Sequence, residues 1–223
     1  MLYHLQAVRD NLRNKQGKRV FYLAEGDSLT WEARDFLTRE RIEILSPEQA
    51  RPERYRLLGG GFMEEKPEHM THLNAEILVE KNHPRIRFRG AVDSLEAELL
   101  LCCTNATGQI RKQLEDALKY ARTLLRNEVL DEPVKQEALG GMDEKDLRER
   151  SHRPQDFYGQ PHFMPEPTDK PLLLQVNKAR CAARATELTA VTAFPSGRED
   201  LIRAFNRLSS FLYLIMIQLK KET

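Results

Sequence analysis

Residues 195–220 read PSGREDLIRAFNRLSSFLYLIMIQLK, and this stretch decides the fold. Ser196 followed three residues later by Glu199 has the spacing of a capping box, so a helix is expected to start there. From Phe211 to Ile217 every side chain is apolar or aromatic. A helix that is apolar on all sides must be enclosed by other elements. One turn earlier come Asn206, Arg207, Ser209 and Ser210. Polar groups entering a core need partners, and a buried unpaired one costs about 1–3 kcal/mol. They either pair within the protein or meet a ligand, and Asn206 is the residue expected to meet one.

Working back, Leu172 to Ala193 reads as a long helix rich in alanine and leucine. Phe88, Val92, Leu95, Leu99 and Cys102 make a helical stripe that ends at the turn from Thr104 to Gly108. Ile110, Leu114, Ala117, Ala121 and Leu124 make the next. Residues 131–170 are rich in proline, glycine and histidine, with one short helix at 143–150. Long helices with short links form a bundle. Further back, residues 1–18 read as a short, partly helical basic arm and 19–46 as strand–helix–strand, with Thr30 capping the helix and Trp31 packing this piece. Pro47, Pro52 and Gly59 to Gly61 mark 47–68 as a mobile connection. The expected fold is mainly α: a five-helix bundle over 69–223 with a small N-terminal α/β appendage at 1–46.

The totals restrict function. The chain has 223 residues, with Lys+Arg 35 against Asp+Glu 34 and a net charge of +1, so no field exists for wholesale nucleic-acid binding. Three cysteines without scaffold spacing suit a reducing cytosol. No apolar run is long enough to cross a membrane and no secretory leader is visible, so a cytoplasmic protein is expected.

Arg180, Arg184 and Glu187 share one helix face, either a solvated ridge or a grip on polyphosphate oxygens. Asp93 lies beside the stripe of its helix, with Arg184 as its natural partner; breaking such a pair, if buried, costs about 3–5 kcal/mol. His69 and His72 lie near Lys66, but two ligands do not close a zinc site. Glu80–His83 and Glu149–His152 are E-x-x-H strings, as in di-iron bundles, yet each lies close to a proline at a segment end. Neither standard glycine-rich nucleotide loop is present.

Several ordered blocks carry a resemblance: KPEHMTHLNAEILVEKNHPRIRFRGAVDSLEAELLL (66–101), LDEPVKQEALGGMDEKDLRERSHRP (130–154), HFMPEP (162–167), RCAARATELTAVTAF (180–194) and AFNRLSSFLYLIMI (204–217). With LTWEARDFLTRERIEI (29–44), the chain resembles corrinoid adenosyltransferases of the ethanolamine-utilisation type. The resemblance implies transfer of the 5′-deoxyadenosyl group of ATP, carried with Mg²⁺, to cob(I)alamin. It implies Asp93, Arg184 and Asn206 as catalytic residues, with Asp93 pairing an arginine of another helix. Lys66, Thr71, His72, Lys81, Arg180, Arg184, Glu187 and Asn206 would contact ATP. His162 and Phe163 would lie below the corrin, with Phe163 as the wedge that displaces the lower cobalt ligand. Ala185 and Leu188 stand where the wider family has arginines, and no cysteine precedes Cys102, so no resident metal is expected. A homo-oligomer is implied, a trimer first and a dimer as the alternative. Delivery to ethanolamine ammonia-lyase and association with a bacterial microcompartment are also implied. The rival readings are a non-enzymatic adenosylcobalamin carrier and a di-iron bundle.

Overall fold

The computed structural model describes residues 1–15, 17–47, 55–135 and 138–221. They form two units, Met1–His83 and Pro84–Thr223. No helix among them is long and apolar enough to cross a membrane.

The first unit is a sheet structure. In chain order it contains β1 (Leu2–Tyr3), α1 (Leu5–Asp10), β2 (Arg13–Lys15), β3 (Lys18–Tyr22), β4 (Ser28–Leu29), α2 (Trp31–Arg39), β5 (Glu43–Leu45), β6 (Tyr55–Leu57), β7 (Phe62–Met63), β8 (Met70–His72) and β9 (Ile77–Glu80). Seven strands form one mixed sheet in the order β5-β3-β2-β7-β6-β9-β8, while β1 pairs with β4. The expected strand–helix–strand is β3–α2–β5, with β3 and β5 parallel. The Thr30 hydroxyl accepts from the Ala33 amide at 3.4 Å, capping α2. Ala33, Phe36 and Leu37 turn inward onto Val8, Phe21, Leu29 and Ile42. Trp31 does not pack this core. It sits at the first position of α2 and is 79% exposed.

Three further expectations change here. Residues 1–18 are not an arm, because they hold β1, α1 and β2. The stretch 47–68 is not merely a connection, because β6 and β7 form an antiparallel hairpin within it. Gly60 and Gly61 make its turn at φ of 92° and 87°, a region glycine enters without a Cβ penalty; Pro52 lies outside the described residues. Residues 69–83 belong with the sheet rather than with the helices, because β8 pairs with β9 and β9 runs parallel to β6.

The second unit is helical: α3 (Pro84–Asn105), α4 (Gly108–Val129), α5 (Glu144–His152), α6 (Pro154–Tyr158), α7 (Pro171–Ala193) and α8 (Glu199–Lys221). Four helices are long and two are short. The stripes read from the sequence are the buried faces: Phe88 through Cys102 on α3 and Ile110 through Leu124 on α4. From Phe211 to Ile217 only Tyr213 is not fully enclosed. The capping box does not form. α8 begins at Glu199, after Arg198 adopts φ of 56°, so Ser196 lies outside the helix.

The α3–α7 seam is antiparallel. The Thr186 hydroxyl donates to the Ala91 carbonyl at 3.2 Å, Lys178 pairs with Glu98 at 2.8 Å, and Asn105 donates to Gln175 at 3.0 Å. This register sets Asp93 level with Arg184.

Candidate functional site

A cleft of about 330 Å³ opens on the second unit, lined by Arg180 and Arg184 of α7, by Ser209, Ser210 and Tyr213 of α8, and by Ser151, His152 and His162. Arg180 donates through Nε and Nη2 to Asn177 Oδ1 at 3.2 and 3.0 Å, which holds the guanidinium on its own helix face without neutralising it. Arg184 is exposed and makes no ion pair among the described residues. One wall is therefore cationic.

The lining also carries an aromatic pair, His162 and Tyr213. His162 stacks on Tyr213 with ring centroids 5.8 Å apart and planes at 13°. Phe163 stacks on the same tyrosine at 6.2 Å and 25°. Burial pushes the Tyr213 hydroxyl above the usual tyrosine pKa, partly opposed by a hydrogen bond from the Phe163 backbone N–H and by the charge of Arg180. Lys220 lies 5.5 Å over the Phe163 ring and is held by Asp169 at 2.5 Å.

Asn206 resolves differently from its sequence reading. Its amide donates to Glu187 Oε1 at 3.0 Å, and its carbonyl oxygen accepts from Arg207 Nη2 at 2.7 Å. Ser209 and Ser210 donate to the Asn206 backbone carbonyl at 2.8 and 3.2 Å. Asn206, Ser209 and Ser210 thus find partners within the protein, whereas Arg207 Nε is buried without a hydrogen bond among the described residues, 3.9 Å from Glu144 Oε1. Asn206 keeps one amide hydrogen and one lone pair, but it does not line the cleft; Ser209 and Ser210, one turn on, do.

The Asp93–Arg184 pair does not form within one chain. Although the two residues are level, Lys178 marks the flank of α7 that faces α3. Glu187 marks the flank that faces α8. Arg184 lines the cleft on the α8 side, and α7 stands between it and α3. Both side chains are exposed.

The remaining residues expected to contact ATP lie in the first unit. Lys81 pairs with Glu68 at 2.9 Å. The His72 ring meets Tyr55 at 5.5 Å, Thr71 is half-buried on β8, and Lys66 is exposed. Glu80–His83 leaves the end of β9, while Glu149–His152 closes α5, so neither string is mid-helix.

Residues 62–219 match the cobalamin adenosyltransferase family. The chain belongs to that family. The match takes in β7 to β9 and most of the second unit, so the cleft lies inside it and residues 1–61 lie outside. Over 157 residues the chain is 32% identical to the corrinoid adenosyltransferase EutT of Escherichia coli, covering 68% of this chain and 59% of that protein. EutT of Salmonella typhimurium is 31% identical over the same length. The chain thus spans less than two thirds of the length of the curated relatives it matches. Two variants of a PduO-type ATP:corrinoid adenosyltransferase from Lactobacillus reuteri, complexed with cobalamin and ATP, share the fold with TM-scores of 0.56 and 0.57. At 18% identity, they cover 70% of this chain and 91% and 88% of their own.

For this cobalamin adenosyltransferase family member, sequence reasoning missed Tyr213, His152 and Ser151. Tyr213 was hidden in an apolar run, where a hydroxyl that needs a partner was the available signal. His152 contributes its backbone carbonyl, which no side-chain motif reveals.

Proposed function

We propose that the protein transfers the 5′-deoxyadenosyl group of ATP to cob(I)alamin. The observation that carries this reading is the cleft itself: two guanidinium groups without carboxylate partners among the described residues share its lining with the stacked His162 and Tyr213. The cationic groups suit a triphosphate and the aromatic pair a corrin. In the reaction Co(I) attacks C5′ with its electron pair, the Co–C5′ bond forms, and the C5′–O bond breaks with its electrons leaving on triphosphate. No proton needs to be removed, so the site requires positioning and charge stabilisation rather than a general base.

Arg180 and Arg184 hold the leaving phosphates. Glu187 has Oε1 engaged by Asn206, which leaves Oε2 for the hydrated Mg²⁺ that ATP carries. Asn206 contacts the nucleoside with its remaining amide hydrogen and lone pair. Phe163, supported by Tyr213, lies under the corrin and excludes a lower ligand. By the resemblance, Lys66, Thr71, His72 and Lys81 also contact ATP.

Asp93 acts between copies. Its exposure, that of Arg184, and exposed Leu100, Leu101, Leu188 and Val191 support a homo-oligomer, a trimer first, in which Asp93 of one copy braces Arg184 of another. The resemblance to the ethanolamine type supports use of the product by ethanolamine ammonia-lyase, in the cytoplasm and in association with a microcompartment.

The test is to supply ATP and chemically reduced cobalamin and follow Co–C bond formation by absorbance. Turnover supports the reading; its absence with intact, folded protein overturns it. A carrier of finished adenosylcobalamin is the second reading, favoured by Ala185 and Leu188 where the wider family has arginines. A carrier would bind one equivalent of adenosylcobalamin and turn nothing over.

A further inference from the structure

His162 belongs to the aromatic pair of the cleft, and a histidine beside a corrin raises a chemical question. Imidazole is a good cobalt ligand through either ring nitrogen if that nitrogen has a free lone pair. Here neither nitrogen is free. Nε2 lies 3.2 Å from the His152 carbonyl oxygen. A carbonyl only accepts, so Nε2 must carry the proton. Nδ1 then holds the lone pair, and it lies 2.9 Å from the Tyr213 hydroxyl, which must be the donor. The chain runs one way: Tyr213 O–H to His162 Nδ1, then His162 Nε2–H to the His152 carbonyl.

We propose that this chain is a clamp whose task is to withhold His162 from cobalt. It uses both imidazole nitrogens and, through the Phe163 ring stacked on the same tyrosine, sets the wedge aromatic in place. The corrin's lower face then meets a surface with no lone pair to give. Tyr213 is a positioning residue: its hydroxyl decides whether the neighbouring histidine is a plate or a ligand. The cobalt half of this inference rests on the functional reading above.

Two measurements test it. In the corrin-free protein, the imidazole nitrogen shifts of His162 by NMR are expected to show Nε2 protonated and Nδ1 as acceptor; the opposite tautomer overturns the clamp. The second uses cob(II)inamide, which has no nucleotide base, so any nitrogen on cobalt comes from the protein. The parent is expected to give an electron paramagnetic resonance spectrum without nitrogen splitting. Tyr213→Phe keeps the ring and its stacking but frees Nδ1. It is expected to show a nitrogen triplet that collapses to a doublet when histidine carries the heavy nitrogen isotope. Tyr213→Phe with His162→Ala is expected to lose that splitting. Histidine splitting in the parent, or none in Tyr213→Phe, overturns the proposal. Failure of the parent to bind any corrinoid refutes the functional reading, and with it the cobalt half, while the NMR result judges the clamp separately.

Discussion

Glu128 is fully buried in the last turn of α4 and is met by two guanidinium groups from the first turns of α3. Arg85 Nε reaches Oε1 at 2.6 Å and Arg89 Nε reaches Oε2 at 2.7 Å. Truncating one member of a buried pair strands the rest, at a cost of about 3–5 kcal/mol. Glu128→Ala is therefore expected to lower the urea midpoint of the helical unit sharply, and Glu128→Gln to do so less. Asp200 contributes differently. Burial raises its pKa, but hydrogen bonds from Arg198 and from the Val134 and Leu201 amides outweigh this and hold it below the usual 3.8. A lowered folded pKa gives stability that is fully present above the unfolded pKa, about 3.9. That stability is lost as pH falls through the folded value. Asp200→Asn is thus expected to flatten the loss of stability as pH falls below the unfolded carboxylate value, measured as unfolding midpoint against pH. Gly140 is a third sensitive point: at φ of 59° an added Cβ would sit 2.5 Å from the Phe211 ring. Backbone strain adds to overpacking of about 1–3 kcal/mol, so Gly140→Ala should unfold at a clearly lower temperature, while Gly141→Ala, which meets nothing, bears the backbone strain alone.

At the scale of elements, legibility followed length. α3, α4, α7 and α8 each exceed twenty residues, enough turns for a period of 3.6 to separate a buried from an exposed face. The strands of the first unit run from two to five residues, too short for alternation to stand out. Their hydrogen bonds come from partners distant in sequence: Arg56 of β6 pairs with Ile77 of β9, which no local pattern announces. The glycines that looked like flexibility at 59–61 are a hairpin turn. The cleft was legible in part. Arg180 and Arg184 were visible as a ridge because they share a helix face, whereas Tyr213 had to be found through its neighbours in space. Asn206 was singled out for the right reason, an unpaired polar group entering a core, but Glu187 from the adjacent helix supplies the partner. That pairing is itself testable: Glu187→Gln should weaken the α7–α8 link and raise the KM for ATP more than it lowers binding of corrinoid, read from steady-state kinetics with each substrate varied.

At the scale of the molecule, the proposed homo-oligomer turns on whether one copy supplies Asp93 to the Arg184 of another. Asp93 and Arg184 stand level on neighbouring helices yet face away from one another, and a charge left exposed on each is what an interface between copies would use. Charges across an interface fix register and reject wrong partners, with like-charge juxtaposition costing several kcal/mol. Asp93→Arg sets two cations together wherever the copies meet, and Arg184→Asp sets two carboxylates together. Each variant alone is expected to shift light-scattering mass toward the single chain. Mixed in equal amounts, the two bring the arginine introduced at position 93 of one copy to the aspartate introduced at position 184 of the other; a ring of three made from two kinds of chain keeps one like-charged contact, so a trimer should re-form in part and a dimer in full. A pair that acted within one chain could not be repaired by mixing, because each chain would still carry its own like-charged pair. Mass is the informative readout, since Arg184 also lines the cleft proposed to take the phosphates, and activity would report both roles at once. Recovery of the oligomer on mixing assigns Asp93 and Arg184 to different copies; variants that keep the parental mass individually take Asp93 out of the interface altogether.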